Sequence, residues 1–251
     1  KVWGYFEYFM IKNPNRPVPD NCQIIPTFMQ ANRTSPTNLG FQLLSGICAL
    51  DMGFIGVHGF LEITENLVDI MTDMEKWNGH LFNWYDTVKN KVLPPGYVST
   101  ADSGNLAACL IVAIEALKEL PQRKWDQKDI LDAVHMTKKL ADFKENAFDE
   151  DADLVSLLDC VLKDRNRQGK SAEWTSIFYV MCERFQRDVK TLLKDGTISI
   201  THANEEDKEA LLKRIDTLTE KCRALLYQMD FSKLYDSKKH LFHIGYNSTT
   251  G

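Results

Sequence analysis

Residues His80–Asn105 carry a concentration of side chains that could bind a sugar. Aromatic rings, carboxylates and amides follow one another there, between two predicted helices. Flat rings pack on the apolar faces of pyranoses, and carboxylates and amides bond to the hydroxyls. The alternative is structural: the Trp and Tyr rings close a helical hairpin, with the aspartates as caps. The candidate ligand-binding residues of this stretch are Asn83, Trp84, Tyr85, Asp86, Tyr97, Asp102, Ser103 and Asn105.

Asp86 and Asp102 are the candidates for catalytic carboxylates in this stretch. Cleavage of a glycosidic bond needs an acid and a base or nucleophile, ~5–9.5 Å apart depending on the stereochemistry. Each aspartate also has a structural alternative. Asp86 could form a turn with its neighbour Thr87, and Asp102 or Ser103 could be the N-cap of the next helix. The residues alone therefore leave the catalytic groups unknown.

Arg33 opens a second candidate segment, upstream of the first. Its guanidinium could clamp a carboxylate or a sugar hydroxyl, or it could form a structural salt bridge. The residues after it predict the start of a helix, with Ser35 as the N-cap and Pro36 in the first helical position.

Helices are predicted to position these residues. Apolar side chains recur at helical spacing along most of the chain, and strand signals are weak outside His240–Tyr246, a short strand or extended loop. The predicted fold class is therefore all-α. The most apolar helix, Leu106–Leu120, is expected to be buried on all sides. The other predicted helices are Val2–Ile11, Leu39–Met52, Phe60–Trp77, Asp126–Phe143, Asp149–Leu162, Ala172–Leu193 and Asn204–Met229.

Composition argues against several classes of function. The 251 residues carry a formal net charge of −5 without a basic stripe, which disfavours nucleic acid and anionic membranes as partners. No run approaches the ~18–20 apolar residues of a membrane span, so no direct membrane contact is expected. The six cysteines and six histidines lack the spacing of a metal site, and no glycine-rich nucleotide motif is present. We expect no metal and no cofactor.

Four separated blocks of sequence occur in an order that resembles a known family. They are RTSPTNLG (Arg33–Gly40), GHLFNWYDT (Gly79–Thr87), LPPGYVSTADSGNLA (Leu93–Ala107) and LFHIGYN (Leu241–Asn247). Together they resemble the glycoamylase-like domain of cyclic β-1,2-glucan synthases. The resemblance adds Asn38 to the candidate ligand-binding residues, beside Arg33.

The resemblance implies an (α/α) helical-hairpin barrel, or toroid, that is incomplete in this chain. Residues 1–251 would form a single domain, the N-terminal part of the barrel, with more variable charged helices in 121–230. The segments that the resemblance would place next, a helix that carries a Glu before an Arg and a later Glu-Tyr motif, are not in this sequence, so it stays open whether this piece alone is an enzyme. The remaining helices of the same domain in the full-length protein would be its partners.

The implied function is binding of β-1,2-glucan and support of its transglycosylation, which closes the linear chain into a ring. Retaining transglycosylation uses a carboxylate nucleophile and an acid/base, and an acceptor hydroxyl replaces water. The implied location is the cytoplasmic side, within a larger membrane-associated synthase. Two alternatives stay open: a non-catalytic carbohydrate-binding or scaffolding domain, and a hydrolase of another glucan.

Overall fold

The chain is mostly α-helical. The computed structural model describes residues 2–144, 147–149 and 152–248. In this part of the chain 59% of the residues are helical, in eight α-helices and three short 3-10 helices, which confirms the prediction of a mainly helical protein. The helices are α1 (Val2–Lys12), α2 (Pro36–Asp51), α3 (Val57–Asp73), α4 (Thr100–Glu119), α5 (Gln127–Ala141), α6 (Leu154–Lys163), α7 (Ala172–Leu192) and α8 (Glu205–Gln228).

The connections between the helices contain short strands of two or three residues. They pair antiparallel as β1–β2, β4–β5, β12–β13, β14–β8, β3–β6–β7 and β10–β11–β9. The strands are β1 (Cys22–Gln23), β2 (Met29–Gln30), β3 (Arg33–Thr34), β4 (Lys76–Trp77), β5 (His80–Leu81), β6 (Tyr85–Asp86), β7 (Lys91–Val92), β8 (Tyr97–Ser99), β9 (Trp125–Asp126), β10 (Leu193–Lys194), β11 (Thr197–Ile198), β12 (Tyr235–Asp236), β13 (Leu241–Phe242) and β14 (Gly245–Asn247).

Two helix starts test the predicted caps. Helix α2 begins at Pro36, and the Ser35 hydroxyl accepts a hydrogen bond from the Asn38 amide at 3.3 Å, as predicted. Helix α4 begins at Thr100, six residues before the predicted Leu106. The prediction that Asp102 or Ser103 caps it is wrong, because Ser99 Oγ accepts from the Asp102 amide at 3.2 Å.

The chain divides into two compact units. The first comprises Lys1–Ser45, Ile63–Ala116 and Asp216–Gly251, and the second comprises Gly46–Glu62 and Leu117–Ile215. Within the first unit, α2 and α4 approach closely at Gly40, where a Cβ atom would lie 2.8 Å from Sγ of Cys109. A glycine is needed there because any side chain would push the two helices apart.

The second unit is built on the packing of α5 and α6 against α7. Phe143, Phe148 and Phe178 form an aromatic cluster there, with ring centroids 5.2–5.7 Å apart. Asp188 of α7 is fully buried and caps the start of α3. Its carboxylate accepts from the Val57 amide at 2.6 Å, from the His58 amide at 3.0 Å and from Nδ1 of the His58 ring.

One face of α4 is open, contrary to expectation. The prediction that this apolar helix is buried on all sides is wrong, since Ile111 is 52% exposed and Val112 47% exposed. The sequence predicts no run with the length of a membrane span, but among the described residues one helical stretch, Thr100–Gln122, has that length and a sufficiently apolar composition. A core helix of a soluble protein can have the same length and composition.

Candidate functional site

Short strands in the first unit bring the candidate segments together. Strand β3 pairs with β6, so that Arg33 lies opposite Asp86. The Asn83 amide donates to the Tyr97 carbonyl at 2.6 Å, which ties the Trp84 segment to β8. Strand β8 then runs directly into α4, which carries Asp102 in its first turn. Segments that are distant in sequence thus meet at the starts of α2 and α4.

A hydrogen-bonded network surrounds the half-buried carboxylate of Asp102. Thr37 Oγ1 donates to Asp102 Oδ1 at 2.5 Å, and Asn105 Nδ2 donates to Thr37 Oγ1 at 3.0 Å. In the amide orientation that satisfies both of its neighbours, Asn83 donates to Asp102 Oδ2 at 3.0 Å and accepts from Trp84 Nε1 at 3.1 Å. Both carboxylate oxygens of Asp102 therefore accept hydrogen bonds from side chains.

Arg33 continues this surface on the other side of Trp84. Its guanidinium carbon lies 4.3 Å from the centroid of the Trp84 ring, a cation–π contact that covers one face of the indole. Its Nη2 lies 3.5 Å from Oδ2 of Asp20, whose Oδ1 accepts from Asn38 Nδ2 at 2.9 Å. The half-exposed guanidinium is thus held in one orientation from two sides.

Thr37 and Asn38 are successive residues, so they join the two halves into one continuous set. We call this set the polar–aromatic surface. Sequence reasoning missed two of its members, Asp20 and Thr37. The available signal for Asp20 was the Asp20-Asn21 pair that follows the proline-rich segment. The polar–aromatic surface comprises Asp20, Arg33, Thr37, Asn38, Asn83, Trp84, Asp102 and Asn105.

Two of the candidate ligand-binding residues lie inside the fold, and a third is half-buried. Tyr85 is fully buried, and its hydroxyl accepts from the Phe82 amide and donates to the Glu75 carbonyl. Burial raises the pKa of the Tyr85 hydroxyl well above its usual range. Ser103 is also fully buried, and Tyr97 is half-buried against the strand β14, which pairs with its own.

Asp86 occupies a turn. Its Oδ1 accepts from the amides of Val88 and Lys89, both at 2.8 Å, and closes the connection between β6 and β7. These two backbone hydrogen bonds lower the pKa of the Asp86 carboxyl. The contacts match the structural alternative of a turn-forming aspartate, with Val88 and Lys89 as its partners. They do not link its carboxylate to that of Asp102.

The polar–aromatic surface has the composition of a site for a polyol. It offers two carboxylates as acceptors, a guanidinium as a donor, and amide and hydroxyl groups that can do both. Each is partly exposed, so a hydroxyl of a ligand could replace or extend an existing hydrogen bond. Within the described ranges, no group of three or more His, Cys, Asp and Glu side chains is arranged to hold a metal ion.

Comparison with known proteins gives one informative relative. No family model matches the sequence. The cyclic beta-(1,2)-glucan synthase NdvB of Rhizobium meliloti (strain 1021) is 30% identical to it over an alignment 295 residues long, which covers 98% of this chain. The matched region is 10% of that protein, so the chain spans about a tenth of the length of this relative.

Proposed function

The chain is related to a domain of a cyclic β-(1,2)-glucan synthase, and on this premise we propose that it binds β-1,2-glucan on the polar–aromatic surface and supports cyclisation of that glucan. The observation that carries the proposal is the continuous set of contacts from Asp20 through Arg33 and Trp84 to Asp102. A glucan presents many hydroxyls and no charge. A surface of paired donors and acceptors matches that chemistry.

In the proposal, both halves of the polar–aromatic surface contact the glucan. Arg33 donates to sugar hydroxyls from its exposed edge, while its planar group keeps its place on Trp84. Asp102 and Asn105 accept from and donate to hydroxyls beside the start of α4. Because Arg33 covers one indole face, a glucose ring that packs on Trp84 uses the other face or the ring edge.

Cyclisation is a transglycosylation in which the glucan itself supplies the acceptor hydroxyl. A carboxylate nucleophile attacks the anomeric carbon, and the leaving oxygen takes a proton from an acid. The hydroxyl at the other end of the same glucan then displaces the carboxylate and returns a proton to the acid/base. Asp102 and Asp86 remain the candidates within this chain. In the proposal, further helices of an (α/α) barrel complete the site within a larger, membrane-associated synthase on its cytoplasmic side.

Calorimetry with linear β-1,2-glucan tests the binding site. Replacing Trp84 by Ala removes the support of Arg33 and one hydrogen bond to Asn83, and we expect about tenfold weaker affinity, equivalent to ~1.4 kcal/mol. Tyr227→Ala is the control, because Tyr227 is an exposed aromatic residue of α8 and is not a member of the polar–aromatic surface. Equal affinity for wild type and Trp84→Ala would remove Trp84 from the site.

A second function, non-catalytic carbohydrate binding, is favoured by one specific observation. Both oxygens of Asp102 are engaged by side chains, and Asp86 is engaged by backbone amides. Each carboxylate thus already serves the fold as a hydrogen-bond acceptor, a role that requires no catalysis. Incubation with linear glucan and analysis for cyclic or shortened products separates the two functions. Product that is lost in Asp102→Asn would contradict the non-catalytic alternative.

A further inference from the structure

The hairpin of β1 and β2 carries an exposed apolar surface next to the polar–aromatic surface. Ile24 is 74% exposed, Ile25 83%, Phe28 51% and Met29 58%. Single exposed apolar residues are ordinary, but four large ones within six positions form a patch of the kind that marks an interaction site. We call Ile24, Ile25, Phe28 and Met29 the hairpin tip.

The hairpin grows directly out of the polar–aromatic surface. The Ala31 amide donates to the Asn21 carbonyl at 3.0 Å, and the Asp20 amide donates to the Arg33 carbonyl at 2.7 Å. Asp20 and Arg33 are therefore both the base of the hairpin and members of the surface. A chain-like ligand that lies across Arg33 can continue along the hairpin without leaving the protein.

Phe28 lies beside a cation at the end of α1. Lys12 Nζ lies 5.8 Å from the centroid of the Phe28 ring and 5.3 Å from that of Tyr8, and it donates to the Tyr8 hydroxyl at 3.2 Å. A cation on one side of a ring leaves the rest of the ring available. The exposed part of the Phe28 ring is thus open to a ligand at the hairpin tip.

We propose that the hairpin tip is an additional subsite for glucan, which packs against the apolar faces of glucose units beyond those held by the polar–aromatic surface. The inference rests on the proposed function and extends it to ligand length. Residues 21–30 carry no charged side chain, which suits an uncharged polysaccharide. The nearby cation, Lys12, is already engaged with two rings, so the tip lacks the free basic residues that bind an anionic lipid surface.

The test compares the affinities of a short β-1,2-linked oligosaccharide and a long linear β-1,2-glucan. We expect the wild type to bind the long ligand more tightly. Phe28→Ala should weaken binding of the long ligand about five- to tenfold and leave the short ligand unchanged, because only the long chain reaches the tip. Phe28→Tyr should retain the preference, since it keeps the ring. Tyr227→Ala is again the matched control for loss of an exposed aromatic side chain.

The outcomes separate the subsite from the underlying function. Equal loss for both ligands, or no loss in Phe28→Ala and Ile25→Ala, overturns the subsite while glucan binding by the polar–aromatic surface stands. Absence of binding to either ligand by the wild type overturns the proposed function and the subsite with it. Flotation with neutral phosphatidylcholine vesicles that depends on Phe28, with glucan affinity unchanged, would assign the tip to a membrane and overturn the proposal.

Discussion

Replacing Asp188 by Ala should strongly destabilise the protein. The buried carboxylate accepts hydrogen bonds from the amides of Val57 and His58 and from the His58 ring. Hydrogen bonds to charged groups contribute ~1.5–3 kcal/mol each and a helix cap contributes ~0.5–2 kcal/mol. These contributions share one carboxylate and are not additive. Loss of the carboxylate leaves the two amides at the start of α3 without their acceptor, at ~1–3 kcal/mol for each unsatisfied buried group, so we expect the free energy of unfolding to fall by about 3–5 kcal/mol.

Urea unfolding followed by far-ultraviolet circular dichroism measures this loss. Asp188→Asn keeps one acceptor oxygen and should lose less, about 1–3 kcal/mol. Glu183→Ala is the matched control on the same helix, because its salt bridge with Arg165 is exposed and should contribute under ~1 kcal/mol. If Asp188→Ala loses no more stability than Glu183→Ala, the assignment of Asp188 as the cap of α3 is refuted.

Three further predictions concern the first unit. Gly79→Ala should sharply lower the melting temperature, because the φ angle of Gly79 is +80° and a Cβ atom would overlap the Gln228 carbonyl. Gly104→Ala is the control and should leave the melting temperature nearly unchanged, because the space around Gly104 is open. Equal changes in melting temperature for the two variants would contradict the prediction. Burial lowers the pKa of His80, so the unfolded state takes up a proton first as the pH falls below about 6.5. Unfolding free energy should therefore decline from pH 7.5 to 5.5, and His80→Gln should flatten that decline; an unchanged slope counts against it. Tyr85→Phe should lose about 1–3 kcal/mol of stability in urea unfolding while calorimetry finds glucan affinity unchanged; weaker binding would instead place Tyr85 in the site.

Local signals in the sequence predicted those elements that local interactions decide. Ser35 and Pro36 place the start of α2 because a cap and a proline act within one turn. The start of α4 was missed because Ser99 belongs to β8, whose partner β14 comes from the far end of the chain. Apolar composition predicted that α4 exists, but composition cannot tell which side of a helix is covered.

The sequence predicted which types of residue form the candidate site better than it predicted their arrangement in space. Side-chain chemistry singled out Arg33, Trp84 and Asp102, and the structure brings these three together. Tyr85 and Asp86 form a strand that the sequence did not predict, and successive residues of a strand face opposite ways. One of them therefore points into the core and the other into the turn. Their roles as sugar ligands stay predictions.

The adjacency of Thr37 and Asn38 makes occupancy of the surface readable through amide hydrogen exchange. Both residues lie in the first turn of α2, and helix ends open at lower free energy than helix interiors. Thr37 donates a hydrogen bond to Asp102, and Asn38 donates one to Asp20. A ligand that binds Asp102 would therefore restrict the motion of Thr37, and a ligand that binds Asp20 would restrict that of Asn38. Binding at either half would then slow exchange in the same few amides, so the first turn of α2 would report on the whole surface.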